Sequence, residues 1–237
     1  MEEPMSHSSY RTALIVGAGS GLSASIARAF AKADMSVALA ARIVEDLAPV
    51  AAETGAKLFA CDATDRDQVT KLFAGVSESI GAPEAVVYNA SYRVRGAFTE
   101  LDPAEVEKAW AVSAFGGFLV AQEAARHMLP RAHGAILFTG ASASVKGYAQ
   151  SAPFAMGKFA LRGLAQSMAR ELAPRGIHVA HFVIDGGIRS ARRMEPADAS
   201  DSLLDPDAIA ASYLHVLQQP KSAWTWEMEL RPWLERF

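Results

Sequence analysis

Five consecutive strand-forming residues, TALIV at 12–16, run straight into the glycine-rich stretch GAGSGLS at 17–23, and Leu22, Ile26, Phe30 and Ala33 then recur at helical spacing. A strand that passes to a helix through a glycine turn leaves the chain few ways to continue, and the remaining sequence follows one of them. Short apolar runs alternate with longer amphipathic segments, the pattern of a parallel sheet flanked by helices. Strands are expected at 12–16, 36–41, 57–61, 85–88, 135–139, 177–184 and 226–230. Helices are expected to begin at Leu22 and to occupy 44–53, 64–80, 103–129, 151–173 and 205–217, the last opened by Asp205 as cap and Pro206 in the first helical position. Gly176 falls just past the end of the helix at 151–173.

With 237 residues the chain is long enough for one domain that buries roughly 70% of its unfolded surface. Its 51% hydrophobic content argues against disorder, and a net charge of −3 offers nucleic acid or an anionic membrane no attraction. Cys61 is the single cysteine, which excludes an internal disulfide and a thiolate metal cluster and points to a reducing compartment. The polar, acidic start MEEPMSHSSYR lacks the character of a secretory signal, and no apolar run reaches the ~18 residues of a membrane span, so a cytoplasmic location is expected. Six histidines are scattered without metal-ligand spacing, and no metal is expected. His181, inside a strand, is expected to be a satisfied core histidine.

Glycines at 17, 19 and 21 allow a tight turn and let backbone approach a pyrophosphate seated on the positive end of the following helix. The spacing resembles the TGxxxGxG pattern of the short-chain dehydrogenase/reductase family, with Val16 for the threonine and Ser23 for the last glycine. The resemblance runs from about Thr12 to Leu230 and implies an α/β, three-layer Rossmann fold: a doubly wound parallel sheet of about seven strands with helices on both faces. It implies one domain over 1–237, with 1–10 as a flexible tail and 189–204 as a substrate-side loop. It also implies a nicotinamide cofactor held by Gly17, Gly19, Ser20, Gly21 and Leu22. Asp62, with Ala63 beside it, matches the aspartate that bonds the adenine amino group, although it could equally cap the helix after it. Asn89 and Ala90 in YNAS match the NNAG motif. Lys158 matches the lysine that grips the nicotinamide ribose. In DGGIRS, Gly186, Ile188 and Ser190 match the residues that hold the carboxamide and phosphate. At the end of the second strand Ala41 stands where an acid would select NAD(H), and Arg42 follows it, so NADP(H) is expected over NAD(H).

The family moves its proton with a Ser–Tyr–Lys set helped by an asparagine. Counting from Lys158, the tyrosine position is Phe154, the serine position Ala141 and the asparagine position Ser113. Two readings follow. One is an oxidoreductase with non-standard proton handling, reducing an activated C=C or a carbonyl of a small molecule. In that reading Lys158 is the catalytic electrophile, its pKa lowered by apolar Phe154, with Ser113, Ser142, Ser144, Tyr148 and Ser151 as candidate hydroxyls. Ser151 is more simply a helix cap, and Ser142 and Ser144 more simply bond local backbone. The other reading is a catalytically inactive NADP(H)-binding sensor, scaffold or partner subunit. Arg189, Arg192 and Arg193 could clamp an anionic substrate, though a solvated loop explains them as well. The helices at 103–129 and 151–173, with Trp224, Trp226 and Trp233, suggest a homodimer or homotetramer.

Overall fold

The computed structural model describes residues 9–190, 193–196 and 198–235. Seven parallel strands form one sheet in the order β3-β2-β1-β4-β5-β6-β7: β1 Thr12–Val16, β2 Ser36–Ala41, β3 Lys57–Ala60, β4 Ala85–Tyr88, β5 Gly134–Thr139, β6 Ile177–Ile184 and β7 Glu227–Leu230. Helices α1 (Leu22–Lys32), α2 (Ala48–Thr54) and α7 (Pro206–Leu217) cover one face. Helices α3 (Arg66–Ile80), α4 (Pro103–Trp110), α5 (Gly116–Met128) and α6 (Ala152–Leu172) belong to the other.

Alternation along the strands builds both cores. Ala13 and Ile15 of β1, Val87 of β4 and Leu137 of β5 pack with Ile26, Phe30 and Tyr213; Leu14, Val16, Val86, Ile136 and Phe138 pack with Phe73, Val120 and Leu161. Each fully buried aliphatic side chain contributes about 2 kcal/mol, so a one-residue slip of register would forfeit both layers at once. Chain order reverses between β1 and β4, and a crevice opens beyond the carboxyl ends of these strands, where ligands bind in open α/β sheets.

Several expected boundaries move, each for a local reason. The helix expected to start at 44 begins as a 3-10 turn, Glu45–Leu47, before α2. Strand β3 ends at Ala60, although the Cys61 amide still bonds Ala41 O. The cap of α3 is Asp65, whose Oδ1 accepts from the amides of Asp67 and Gln68, and not Asp62. The helix expected over 103–129 is broken by a π turn, Ala111–Phe115. There the Val112 carbonyl accepts from the hydroxyl of buried Tyr88, and a Cβ on Gly116 would lie 2.5 Å from that oxygen. The wide turn and the glycine together make room for a large β4 side chain, which apolar spacing does not reveal. Of the segment expected to be a tail, residues 1–8 lie outside the described residues, whereas Tyr10 is buried and stacks on His133 at 4.8 Å.

Candidate active site

The turn between β1 and α1 is held open by its glycines. Gly17 has φ +79°, and a Cβ there would lie 2.3 Å from the Ala90 amide nitrogen, so this backbone conformation and this approach to β4 admit no side chain. Around Gly19 and Gly21, by contrast, a Cβ would meet nothing within 4 Å. Gly21 is the N-cap of α1, no side chain caps the helix, and its first turn holds no acid, so its positive end faces open space. This cradle fits a pyrophosphate. Ser23, at the family's last glycine, donates to Gly17 O (3.3 Å) and accepts from Asn89 Nδ2 (2.7 Å), tying the glycine turn to the end of β4.

Two clefts of similar size flank this tie. The first, about 330 Å³, is lined by Gly17, Ala41, Arg42, Asp62, Ala63, Asn89 and Ala90. Arg42 is exposed and has no acidic partner among the described residues. Asp62 Oδ1 accepts from the amide and hydroxyl of Thr64 at 2.9 and 2.7 Å, an Asx turn that fixes the carboxylate at the rim. Ser20 lies exposed on the loop outside both clefts.

The second cleft, about 340 Å³, is lined by Leu22, Asn89, Thr139 at the end of β5 and the turn after it to Ala143, Phe154 and Lys158 of α6, and Ile184, Gly186 and Ile188. Lys158 is buried and its Nζ donates to Thr139 O at 2.7 Å. Burial pushes its pKa down to about 8. The Phe154 ring, expected to cause that shift, presents its face to Nζ at 5.8 Å, a contact that favours the cation. Burial is the cause. On the same ring lies the Arg93 guanidinium, 4.9 Å from the centroid.

At the serine position Ala141 offers only backbone, but the turn that follows it is anchored from below. Ser144 Oγ accepts the Ala141 amide at 3.1 Å and lies 3.3 Å from His181 Nε2. His181 Nδ1 lies 3.2 Å from Glu227 Oε2, and Glu227 grips Arg162 through both oxygens at 2.6 and 2.7 Å. One assignment satisfies every group: Ser144 donates to Nε2, and Nδ1–H donates to the carboxylate. Burial lowers the His181 pKa to about 4; Glu227 opposes this and the Lys158 charge adds to it, so the ring is neutral near neutrality. His181 is thus a buried, fully bonded histidine.

The remaining expected residues divide. Tyr148 and Ser151 line the second cleft; Ser151 occupies the cap position of α6, but its hydroxyl caps nothing. Ser142 also lines it. Ser113 is buried, accepts the Tyr92 amide at 3.4 Å and packs against Gly157, away from the cleft. Ser190 is exposed, pairs with Arg193 through backbone and lines neither cleft. Of the three loop arginines, Arg189 pairs with Asp205 at 2.6 Å, Arg192 lies outside the described residues, and Arg193 lines the cleft. Arg93 escaped the sequence reading, and its one signal was a pair of arginines, 93 and 95, just past the fourth strand. Trp224 stacks on His178 at 4.6 Å and Trp226 lies under Arg162, so both are engaged within the chain, while Trp233 is exposed. Among the described residues no helix is long and apolar enough to cross a membrane, and no trio of His, Cys, Asp or Glu is grouped to hold a metal.

The short chain dehydrogenase family model matches residues 11–199. A short-chain dehydrogenase structure from Rhodopseudomonas palustris is 38% identical, covers 94% of this chain and 99% of its own, and superposes with a TM-score of 0.81. A metagenomic short-chain oxidoreductase in complex with NADP is 27% identical over 94% of this chain and 98% of its own, with a TM-score of 0.82. An uncharacterized oxidoreductase of Staphylococcus aureus (strain N315) is 27% identical over 94% of this chain and 97% of its own length. By its glycine turn, its sheet order and these relatives, the chain belongs to the short-chain dehydrogenase family.

Proposed function

We propose that this protein is an NADP(H)-dependent oxidoreductase that reduces a small activated substrate, a C=C conjugated to a carbonyl ahead of an isolated carbonyl, without the family's phenolic acid. The observation that carries this reading is the pairing of an open glycine cradle with a neighbouring cleft in which Lys158 survives beside Phe154. When bound, the reduced nicotinamide supplies the hydride. Gly17, Gly19, Ser20, Gly21 and Leu22 would hold the pyrophosphate, Arg42 the 2′-phosphate, and Asp62, with Ala63 beside it, the adenine. Asn89, Ala90, Gly186 and Ile188 would border the nicotinamide half, whereas exposed Ser190 lies outside it. Nζ of Lys158 gives one hydrogen to Thr139 O and keeps two for ribose hydroxyls. A buried ammonium there also stabilises negative charge that grows on an enone oxygen, and the carbon can then take its proton from solvent. The relative solved with NADP favours the phosphorylated cofactor. An exposed aromatic ladder, Trp110–Phe115–Phe118, with Phe159 exposed on α6, the helix packed against α4, favours a homodimer or homotetramer built on these helices. Buried Cys61, its thiol pushed up to about 11 by burial and by Asp62 and Asp65, suits a cytoplasmic protein.

Ala141 and Phe154 favour a second reading, an inert NADP(H)-binding sensor, scaffold or partner subunit. Following NADPH absorbance against a panel of enones, enoyl thioesters and simple carbonyls separates the two. Turnover with an enone or enoyl thioester supports the enzyme; tight NADPH binding without turnover across the panel supports the inert reading.

A further inference from the structure

The second cleft carries three cations, Arg93, Lys158 and Arg193, and not one Asp or Glu lines it. Elsewhere this protein of net charge −3 keeps many arginines beside carboxylates: Arg28 with Glu53, Arg126 with Glu123, Arg162 with Glu227, Arg189 with Asp205. Arg93 and Arg193 have no such partner among the described residues, yet both line this one cleft. Their placement is built. The Arg93 guanidinium rests on the face of Phe154 at 4.9 Å, and that ring occupies the place of the family's phenol. Arg193 folds over Gly187, where a Cβ would come within 2.9 Å of its Nη1, and its backbone amide and carbonyl pair with those of Ser190. Like charges gathered without a counter-ion in a cleft focus field on whatever enters, and two planar forks are suited to bidentate contact with a carboxylate or phosphate.

We infer that the second cleft selects a small anionic substrate, one bearing a carboxylate or phosphate group held between Arg93 and Arg193. Phe154 thereby acts as the platform for a substrate-binding cation where relatives place a proton donor. The inference rests on the assignment of this cleft as the substrate side of a nicotinamide site. It deepens that assignment by naming the substrate class.

Fluorine NMR with three probes of one shape tests it: para-fluorobenzoate, para-fluorophenyl phosphate and neutral para-fluorobenzamide, each titrated into the protein with and without saturating NADP⁺. The expected result is that one or both anions bind roughly tenfold tighter than the amide, and the better of the two tells carboxylate from phosphate. Arg93→Gln and Arg193→Gln should each remove most of that preference, and raising the ionic strength should weaken it in the unmodified protein. Arg93→Gln should leave NADP⁺ affinity, read by intrinsic fluorescence, at its original value. Equal binding of acid and amide, absence of binding by all three probes, or a preference that survives both substitutions would overturn the proposal. If NADP⁺ fails to bind while the anion preference persists in the nucleotide-free protein, the cofactor assignment falls and the anion clamp stands.

Discussion

The two clefts beyond β1 and β4 differ in how they relate to the family pattern. Around the glycine turn and the first cleft, Gly17, Gly19, Gly21, Asp62, Asn89 and Ala90 match it, and much of the surface they form is open: unfilled space over two glycines, an uncapped helix end, an arginine with no acid beside it among the described residues. In the second cleft, Ala141 and Phe154 depart from it, and each is set among specific contacts. The chain Ser144–His181–Glu227–Arg162 locks the turn after Ala141, and Phe154 lies between two cations. The surroundings of Ala141 and Phe154 are therefore ordered by specific contacts, whatever chemistry the cleft performs. A buried network with every member satisfied marks a structure that is specified, and it separates loss of one chemistry from loss of order.

The strongest way to break this contrast is to return the missing groups. If the cleft differs from an ordinary reductase only at its proton donors, Ala141→Ser with Phe154→Tyr should raise carbonyl reduction about 10²–10⁴-fold over the unmodified chain. No gain would mean that the surrounding cations and loops have changed the chemistry more deeply.

The locked turn should also show itself in stability. His181 has a folded pKa near 4 against 6.5 in its unperturbed state, so below pH 6.5 the unfolded chain binds the extra proton. The stabilisation is complete above pH 6.5 and is lost as pH falls toward 4, a change of up to about 3 kcal/mol. Denaturant melts across that range should have a slope that His181→Gln flattens. His178, lowered by burial, leaves a smaller residual slope.

On the nucleotide side, Gly17→Ala forces a side chain into positive φ and against the Ala90 backbone. It should destabilise the fold by about 2 kcal/mol and weaken NADPH binding more than any substitution in the second cleft, as thermal melts and fluorescence titration will read. Arg42→Ala should have the mildest effect: a loss of about tenfold in preference for NADPH over NADH, with NADH affinity unchanged.

Most of the fold was legible because strand alternation and helical spacing report which faces are buried, and here both faces of the sheet are. The π turn at Ala111–Phe115 was not, since its cause is Tyr88, a residue on another strand. The glycine turn was legible because only backbone chemistry makes it. The alternative of Asp62 as a helix cap stood open because Asp62 and Asp65 both precede a helical pattern, and only geometry shows that Asp65 caps α3 while Asp62 closes an Asx turn on Thr64. Arg93 went unnoticed for the opposite reason. Two arginines in a loop have no periodicity, and the ring that carries Arg93 lies sixty-one positions away in sequence on α6.

Titration calorimetry with NADPH on the purified, folded chain tests the central claim most directly. Saturable binding of one NADPH per chain, tighter than NADH, is the expected result. Absence of heat with both NADPH and NADP⁺, in protein that circular dichroism shows to be folded, would contradict it.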